Sequence, residues 1–468
     1  MPDAIVVGSG PNGLAAAIVL ARAGLEVSLL EGEETVGGGC RSATLTLPGF
    51  VHDVCAAVHP LAVASPFMRS VPLERHGVEW IQSPAALAHP FDDGSAALLL
   101  RSVEDTAAGL GEDGARYRRL MGPLVERADP LLAELLAPVR LPGHPGTMAR
   151  FSARAALPAS VLARRAFRGP KARGLFAGLA AHSMLPLTRL PSAAYGLVLG
   201  VLAHSAGWPF ARGGSQRLAD GLVAYLESLG GEVSTGHRVT ELAELGAVRP
   251  ALLDVSPRAL VAITGGALPA GYRRQLERFR YGPGVFKVDW ALDGPIPWRA
   301  AECASAATVH LGATLEEIVA SECEPWRGGI AERPFVLLAQ QTLFDPSRAP
   351  EGKHTAWAYC HVPNGSHVNM TERIEAQVER FAPGFQELVI GRSAMGPAEM
   401  EAHNPNYVGG DINGGAADLR QTLARPALRA SPYASPLPGV FLCSASTPPG
   451  GGVHGMCGFH AAREALRS

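Results

Sequence analysis

Ala4-Ile5-Val6-Val7-Gly8-Ser9-Gly10-Pro11-Asn12-Gly13, followed by LAAAIVLARAG over residues 14–24 and by the run from Glu26 to Glu31, decides the fold. Ala4–Val7 is short, apolar and partly β-branched, as a fully buried parallel strand requires. The small and apolar residues after Gly13 suit a helix packed tightly on a sheet. Glu26–Leu30 reads as a second strand that ends on Glu31. Each element has a task in holding a dinucleotide. Gly8 permits the tight turn, Gly10 lets the backbone approach a pyrophosphate, and Gly13 lets the helix start close to the strand. The first-turn N–H groups then face the phosphates, with Pro11 and Asn12 beside them. Glu31 is placed to accept hydrogen bonds from a ribose, and its charge disfavours the 2′-phosphate of NADP. A glycine pattern alone is weak evidence. Strand, glycine turn, helix, second strand and terminal acid in register are specific.

The next residues choose among dinucleotides. Val36-Gly37-Gly38-Gly39-Cys40-Arg41-Ser42 puts a glycine-rich loop and an arginine directly after the ribose-binding acid. A simple NAD dehydrogenase has no use for them, because its dinucleotide ends over the other half of the sheet. A flavin nucleotide folded back along the domain needs a cation and backbone donors beside its phosphates and ring. Gly38, Gly39 and Arg41 are therefore expected to contact FAD.

The run GSGPNGLAAAIVLARAGLEVSLLEGEETVGGGCRS, residues 8–42, resembles the opening of the phytoene desaturase and flavin amine oxidase superfamily. The usual pattern there is Gly-Gly-Arg, whereas Gly39 and Cys40 here precede Arg41. Two distant segments extend the resemblance. Gly213-Gly214-Ser215-Gln216-Arg217-Leu218 opens a helix that is expected to reach Leu229, before a strand leading to Val239. GVFLCSASTPPGGGVHGMCGFHAAREAL, residues 439–466, reads as strand, glycine-rich loop and terminal helix. The resemblance implies that the Val239 backbone meets the adenine. It also implies that the loop holding Ser444, Gly452 and Val453 brings N–H donors and helix-dipole charge to the isoalloxazine. The implied fold is α/β: a Rossmann-type FAD-binding domain, as in glutathione reductase-like two-domain flavoproteins, with a discontinuous α+β substrate domain. The expected FAD-binding domain combines residues 1–70, 205–265 and 430–468, and the substrate domain 71–204 and 266–429. Between Val239 and the strand at Ala251 the segment TELAELGAVRPA is too short for the three-stranded cover usual in the superfamily.

Size and composition agree with two packed domains. A chain of 468 residues exceeds one hydrophobic core, and 47% hydrophobic against 18% charged residues argues against disorder. The formal net charge of -2 comes without any basic stripe, which excludes nucleic acid as the natural partner. Seven cysteines without a C-x-x-C pair read as free thiols in a reducing cytoplasm. The N-terminus lacks a basic region ahead of its apolar run, so that run is a strand and no signal peptide. Ala193–Phe210 is the one stretch of membrane interest. It reads as a buried helix lining a greasy cavity, with peripheral membrane contact as the alternative. Nothing in the sequence sets an oligomeric state.

Two residues stand out as candidates for chemistry. GVFKVDWAL, residues 284–292, alternates as a strand, and the resemblance implies that its Lys287 holds a water near flavin N5. The alternative is a wet, charged face shared with Asp289. His454 sits in the glycine-rich loop, where it either stabilises charge at the flavin pyrimidine or hydrogen-bonds the backbone. Cys40 and Cys457 are expected as packed thiols. His52 and His59 have no metal-ligand spacing, and no metal is expected. The apolar segments around Leu175–Val201, with few cationic clamps, point to an apolar, terpenoid- or polyene-like small molecule. The expected reaction is its desaturation or oxidation by hydride transfer to flavin N5. Amine oxidation, redox-neutral isomerisation and a non-catalytic binding role are the alternatives.

Overall fold

The computed structural model describes residues 2–468. Its first strand, Ala4–Val7, is buried throughout and lies at the centre of a five-stranded sheet. The order across that sheet is Val440–Leu442, Ala251–Leu253, Ala4–Val7, Val27–Leu30 and Glu232–Ser234, and every pair is parallel. Parallel sheets need cover on both faces, and the sequence supplies it. Helix Pro11–Arg22 buries every residue from Asn12 to Ala21, because it is sandwiched between the sheet and two further helices, Gln216–Ser228 and Met456–Ala465. Its run of alanines lets those neighbours come close. Leu260, Ile263, Tyr272 and Leu276 from helices Pro257–Thr264 and Ala270–Glu277 cover the opposite face.

Two boundaries differ slightly from the sequence reading. The second strand begins at Val27, one residue later than expected. The helix expected from Gly213 begins at Gln216, since Gly213 and Gly214 take positive φ values of 76° and 118° and form the preceding turn. Between Ser234 and Ala251 there is only a short 3₁₀ turn at Leu242–Leu245 and no strand.

The second sheet has seven strands, in the order Val389–Met395, Gly284–Leu292, His354–Val362, Val336–Ala339, Thr308–Leu311, Ala85–Pro90 and Ala96–Leu100. Gly284–Leu292 is buried at all nine positions. One face carries Val288, Trp290 and Leu292 into a core with Phe381 and Phe385. The other face carries Lys287 and Asp289 and looks toward the parallel sheet. Residues 114–135 form two helices, Gly114–Val125 and Ala128–Leu135, broken at Arg127, which leaves helical geometry with φ -118° and ψ 27°. Helix Ser192–Ser205 packs against helices Pro170–Ala181 and Gly114–Val125, inside the protein as its apolar composition requires. Among the described residues no helix is long and apolar enough to cross a membrane.

Arg348 ties these parts together. Its guanidinium donates to Asp53 at 2.6 Å, to Asp345 at 3.0 Å and to the Ala211 carbonyl at 2.7 Å, with all three side chains buried. Burial alone would push the Asp53 carboxyl up. The Arg348 charge, with hydrogen bonds from Ser215 and Ser42, holds it below the usual range instead.

Candidate functional site

The carboxyl ends of the parallel strands open into a cavity of about 580 Å³ that runs on to the inner face of the seven-stranded sheet. Ligands of open α/β sheets sit at this edge. At the near end the wall is Gly8, Gly10, Pro11, Asn12 and Glu31. Helix Pro11–Arg22 starts there without a side-chain cap, so its first-turn N–H groups remain available to a ligand. The turn is built around missing side chains. A Cβ on Gly13 would fall 1.9 Å from the Gly8 carbonyl oxygen, and one on Gly10 would fall 2.8 Å from Asp254 Oδ2. Gly13 itself is behind the wall. Its N–H donates to Asp254 Oδ2 at 2.9 Å.

Glu31 works in two directions. Its carboxylate accepts from the Ser9 N–H at 2.8 Å, the Ser9 hydroxyl at 2.5 Å and the Glu33 N–H at 3.0 Å, which fixes the glycine turn, while the residue still lines the cavity. Asn12 Oδ1 is buried with no donor in the protein. Gly38, Gly39, Arg41 and Val239 also line the cavity, Val239 two residues beyond His237, whose N–H donates to the Glu31 carbonyl at 2.8 Å. Arg41 is only 7% exposed, with Nε donating to the Gly38 carbonyl at 3.2 Å and Glu33 4.0 Å away, so its charge is only weakly committed within the protein. Gly39 is required by close approach, since a Cβ there would lie 2.2 Å from the Tyr407 hydroxyl. An acid for the ribose, open N–H groups for the pyrophosphate and a nearby cation suit FAD. Ser444, Gly452 and Val453 form the wall farther along, as a flavin ring folded back along the domain needs.

The two residues proposed for chemistry are not on this wall. The His454 ring is 1% exposed, with Nδ1 accepting from the Met456 N–H at 3.0 Å and Nε2 donating to the Gly450 carbonyl at 3.1 Å. Burial lowers its pKa to about 4, so the ring is neutral. It braces the loop ahead of helix Met456–Ala465 and presents no charge to the cavity. That corrects the charge-stabilising role. Lys287 is 2% exposed and donates to both Asp289 oxygens, at 2.6 and 2.5 Å. The indole of Trp357 lies over its ammonium, 5.3 Å from Nζ to the ring centre, and it is Trp357 that lines the cavity. Lys287 thus points toward the flavin side but stops one layer short. The wet-face alternative is excluded by its burial.

Sequence reasoning missed Asp254. It follows strand Ala251–Leu253 directly, beside the first strand, and the switch-point rule for open α/β sheets was the available signal. It is buried, and burial, with the Glu31 charge nearby, raises its pKa to about 7. The thiols of Cys443 and Cys457 also feel its charge, and burial raises both. Asp254 lines the cavity beside the open helix start, so its carboxylate repels a phosphate there while the neutral carboxyl does not. FAD affinity is expected to fall as pH rises through 7, by roughly tenfold between pH 6 and 8.5. Asp254→Asn is expected to flatten that profile in a flavin fluorescence titration. The raised pKa acts on the protein without cofactor too: stability present while the carboxyl is protonated is lost as pH climbs from its ordinary range toward 7.

The far chamber includes the greasy wall expected of Ala193–Phe210, but its floor carries no sequence motif. Its walls are Leu199 and Tyr195 from helix Ser192–Ser205, Trp208, and a floor of Thr308, Leu337, Ala339, Trp357 and Tyr359. His182, also on the wall, meets His310 at 3.0 Å between Nε2 atoms, and burial drives its pKa down to about 3. His310 is pushed well below its ordinary value by burial and by its histidine neighbours. Both rings are neutral.

Comparison with known proteins agrees with this geometry. Residues 6–70 match a family model described as an NAD(P)-binding Rossmann-like domain. The chain is 25% identical to pyridine nucleotide-disulfide oxidoreductase domain-containing protein 2 of Mus musculus, over 99% of this chain and 93% of that one. It is 26% identical to hydroxyneurosporene desaturase of Cereibacter sphaeroides, over 100% of this chain and 98% of that one. Among solved structures, an oxidoreductase from Methanosarcina mazei superimposes with a TM-score of 0.66 at 16% identity, covering 99% of this chain and 100% of that one.

Proposed function

We propose that this chain, which fits the phytoene desaturase-like superfamily of flavin oxidoreductases, oxidises or desaturates an uncharged, largely apolar small molecule. The observation that carries this reading is the continuity of one cavity from the nucleotide cradle to an apolar chamber. FAD, when bound, supplies the acceptor for a hydride from a substrate carbon. The chain's own residues bind, orient and exclude water. Glu31 and the open helix start hold the nucleotide end, and the Ser444–Val453 loop backs the ring. Leu199, Leu337, Ala339 and Tyr359 provide the dry surface on which a substrate carbon is pressed toward the flavin. Closing out water keeps the reacting centre in a low-dielectric setting.

The same chamber weighs against amine oxidation. The carboxylates on the cavity wall (Glu31, Glu33 and Asp254) all belong to the nucleotide end. The far chamber offers neutral histidines, tyrosines and indoles, with no acid to receive an ammonium. An anaerobic titration of the FAD-loaded protein tests the reading. Bleaching of the flavin absorbance by isoprenoid substrates and none by primary amines is the expected result. Bleaching by amines alone would overturn it, and turnover seen only after the flavin has been reduced would replace it with isomerisation.

A further inference from the structure

The chamber floor is not uniformly apolar. Three polar side chains on the cavity wall are buried with no hydrogen-bond partner in the protein: Trp208 Nε1, Trp357 Nε1 and Thr308 Oγ1. Their residues are 3%, 7% and 4% exposed. An indole N–H is a donor only, so each tryptophan can be satisfied by nothing but an acceptor. Buried donors in folded proteins are almost always paired, and leaving one unpaired is costly. Two unpaired indoles on one cavity wall are therefore unlike a packing accident.

Their placement is set by the sheet. Thr308 pairs with Ala339, and Ala339 pairs with Trp357, so the three lie in one row across adjacent strands. Thr308 and Trp357 stand two strand spacings apart, roughly 9–10 Å. Between them the small Ala339 methyl leaves room for a ligand atom. Trp208 packs beside this row, edge-on against His182 at 5.9 Å between ring centres and tilted over His310, two residues along the strand from Thr308, at 6.2 Å. Leu337 lies in the next row, paired with Tyr359 and opposite His310, and keeps the surroundings dry. No free cation stands in this row: Lys287 lies behind the Trp357 ring and is paired with Asp289. An anion would gain no counter-charge, whereas a neutral acceptor oxygen would meet donors on two sides.

We infer that the substrate is an apolar molecule carrying a neutral acceptor oxygen, with a carbonyl as the best fit, and that Trp208, Trp357 and Thr308 hold that oxygen. They are specificity-determining residues, and the inference rests on the oxidoreductase reading of the same cavity. It departs from a pure hydrocarbon substrate, which would leave all three groups unpaired on binding.

The experiment compares farnesal, an isoprenoid aldehyde, with farnesene, the hydrocarbon of matching skeleton, for equilibrium binding to the FAD-loaded protein. Farnesal is expected to bind at least about tenfold more tightly, as hydrogen-bonding sites reject analogues that lack the bonding group. Trp208→Phe, Trp357→Phe and Thr308→Val each keep the local shape. Each is expected to shrink that preference by about threefold to tenfold, with FAD occupancy as the control for an intact nucleotide end. Equal affinity for the two probes, or a preference that survives all three substitutions, overturns the inference. Flavin bleaching is read separately in the same samples. Bleaching by farnesene with no aldehyde preference would leave the oxidation reading standing and remove this one. An aldehyde preference without bleaching by any isoprenoid would do the reverse.

Discussion

Gly10→Val is expected to leave the protein folded and to cost it its FAD. Gly10 has an ordinary negative φ of -63°, so a larger residue meets no backbone strain there. The obstacle is space. A Cβ at this position lies 2.8 Å from Asp254 Oδ2, and a branched side chain must either displace that carboxylate or project into the cradle. Displacing Asp254 removes the acceptor from the Gly13 N–H, and projecting forward fills the ground that a pyrophosphate needs. Overpacking of this kind costs on the order of 1–3 kcal/mol, which corresponds to a roughly five- to hundredfold loss of affinity. Bound flavin measured after desalting, with circular dichroism as the control for folding, checks it. Full occupancy would mean that the adenosine diphosphate end lies elsewhere. Gly13→Val is expected to behave differently and to unfold the domain, because its Cβ would strike the Gly8 carbonyl, which is backbone and cannot swing aside.

Lys287→Met is expected to destabilise the fold before it alters any chemistry. Lys287 and Asp289 form a buried pair, 2% and 0% exposed at the side chain, with two short bonds. Removing one member of such a pair strands the other's charge and typically costs about 3–5 kcal/mol. The midpoint of denaturant unfolding should therefore fall sharply. Lys287→Met combined with Asp289→Leu is expected to recover most of the loss, since an apolar pair of similar volume replaces the ionic one. Unchanged stability in the single variant would mean that water reaches the pair. Trp357 separates Lys287 from the cavity, so any change in flavin half-reaction rate should be smaller than that caused by substituting Trp357 itself.

The nucleotide end was legible because local chemistry and local sequence coincide there. Strand, turn, helix and acid are consecutive, and each glycine answers to a close approach that lies within a few residues or one strand away. The strand Gly284–Leu292 was legible to its exact ends, because β-alternation and the flanking prolines bound it on both sides. Side-chain direction was harder. His454 was placed near the flavin by its loop, but Gly455, at φ 68°, turns the chain so that the ring folds back onto Gly450 and Met456. Lys287 was assigned a face correctly shared with Asp289, yet whether that face is wet depends on Trp357, from a strand far along the chain. The far chamber was legible only in part: the sequence pointed to an apolar cavity lined by the segment Ala193–Phe210, but not to the floor that faces it. Trp208, Thr308 and Trp357 carry no motif, and only the register of three antiparallel strands and the packing of one loop make them neighbours.

Strand Val440–Leu442 and helix Met456–Ala465 complete a layer that Ala4–Val7 and Pro11–Arg22 begin, and the contact is intimate enough that a Cβ on Gly458 would sit 1.7 Å from the Asn12 carbonyl oxygen. On the ribosome these two ends of the polypeptide emerge at opposite ends of its synthesis. The half-built nucleotide sheet must therefore wait, with Ala251–Leu253 as an unprotected edge, while five of the seven strands of the second sheet are made. Cofactor loading becomes a post-translational event by architecture. A chain that ends between residues 253 and 440 leaves that strand edge unpaired, so loss of residues 440–468 is expected to cost the fold as well as the flavin wall.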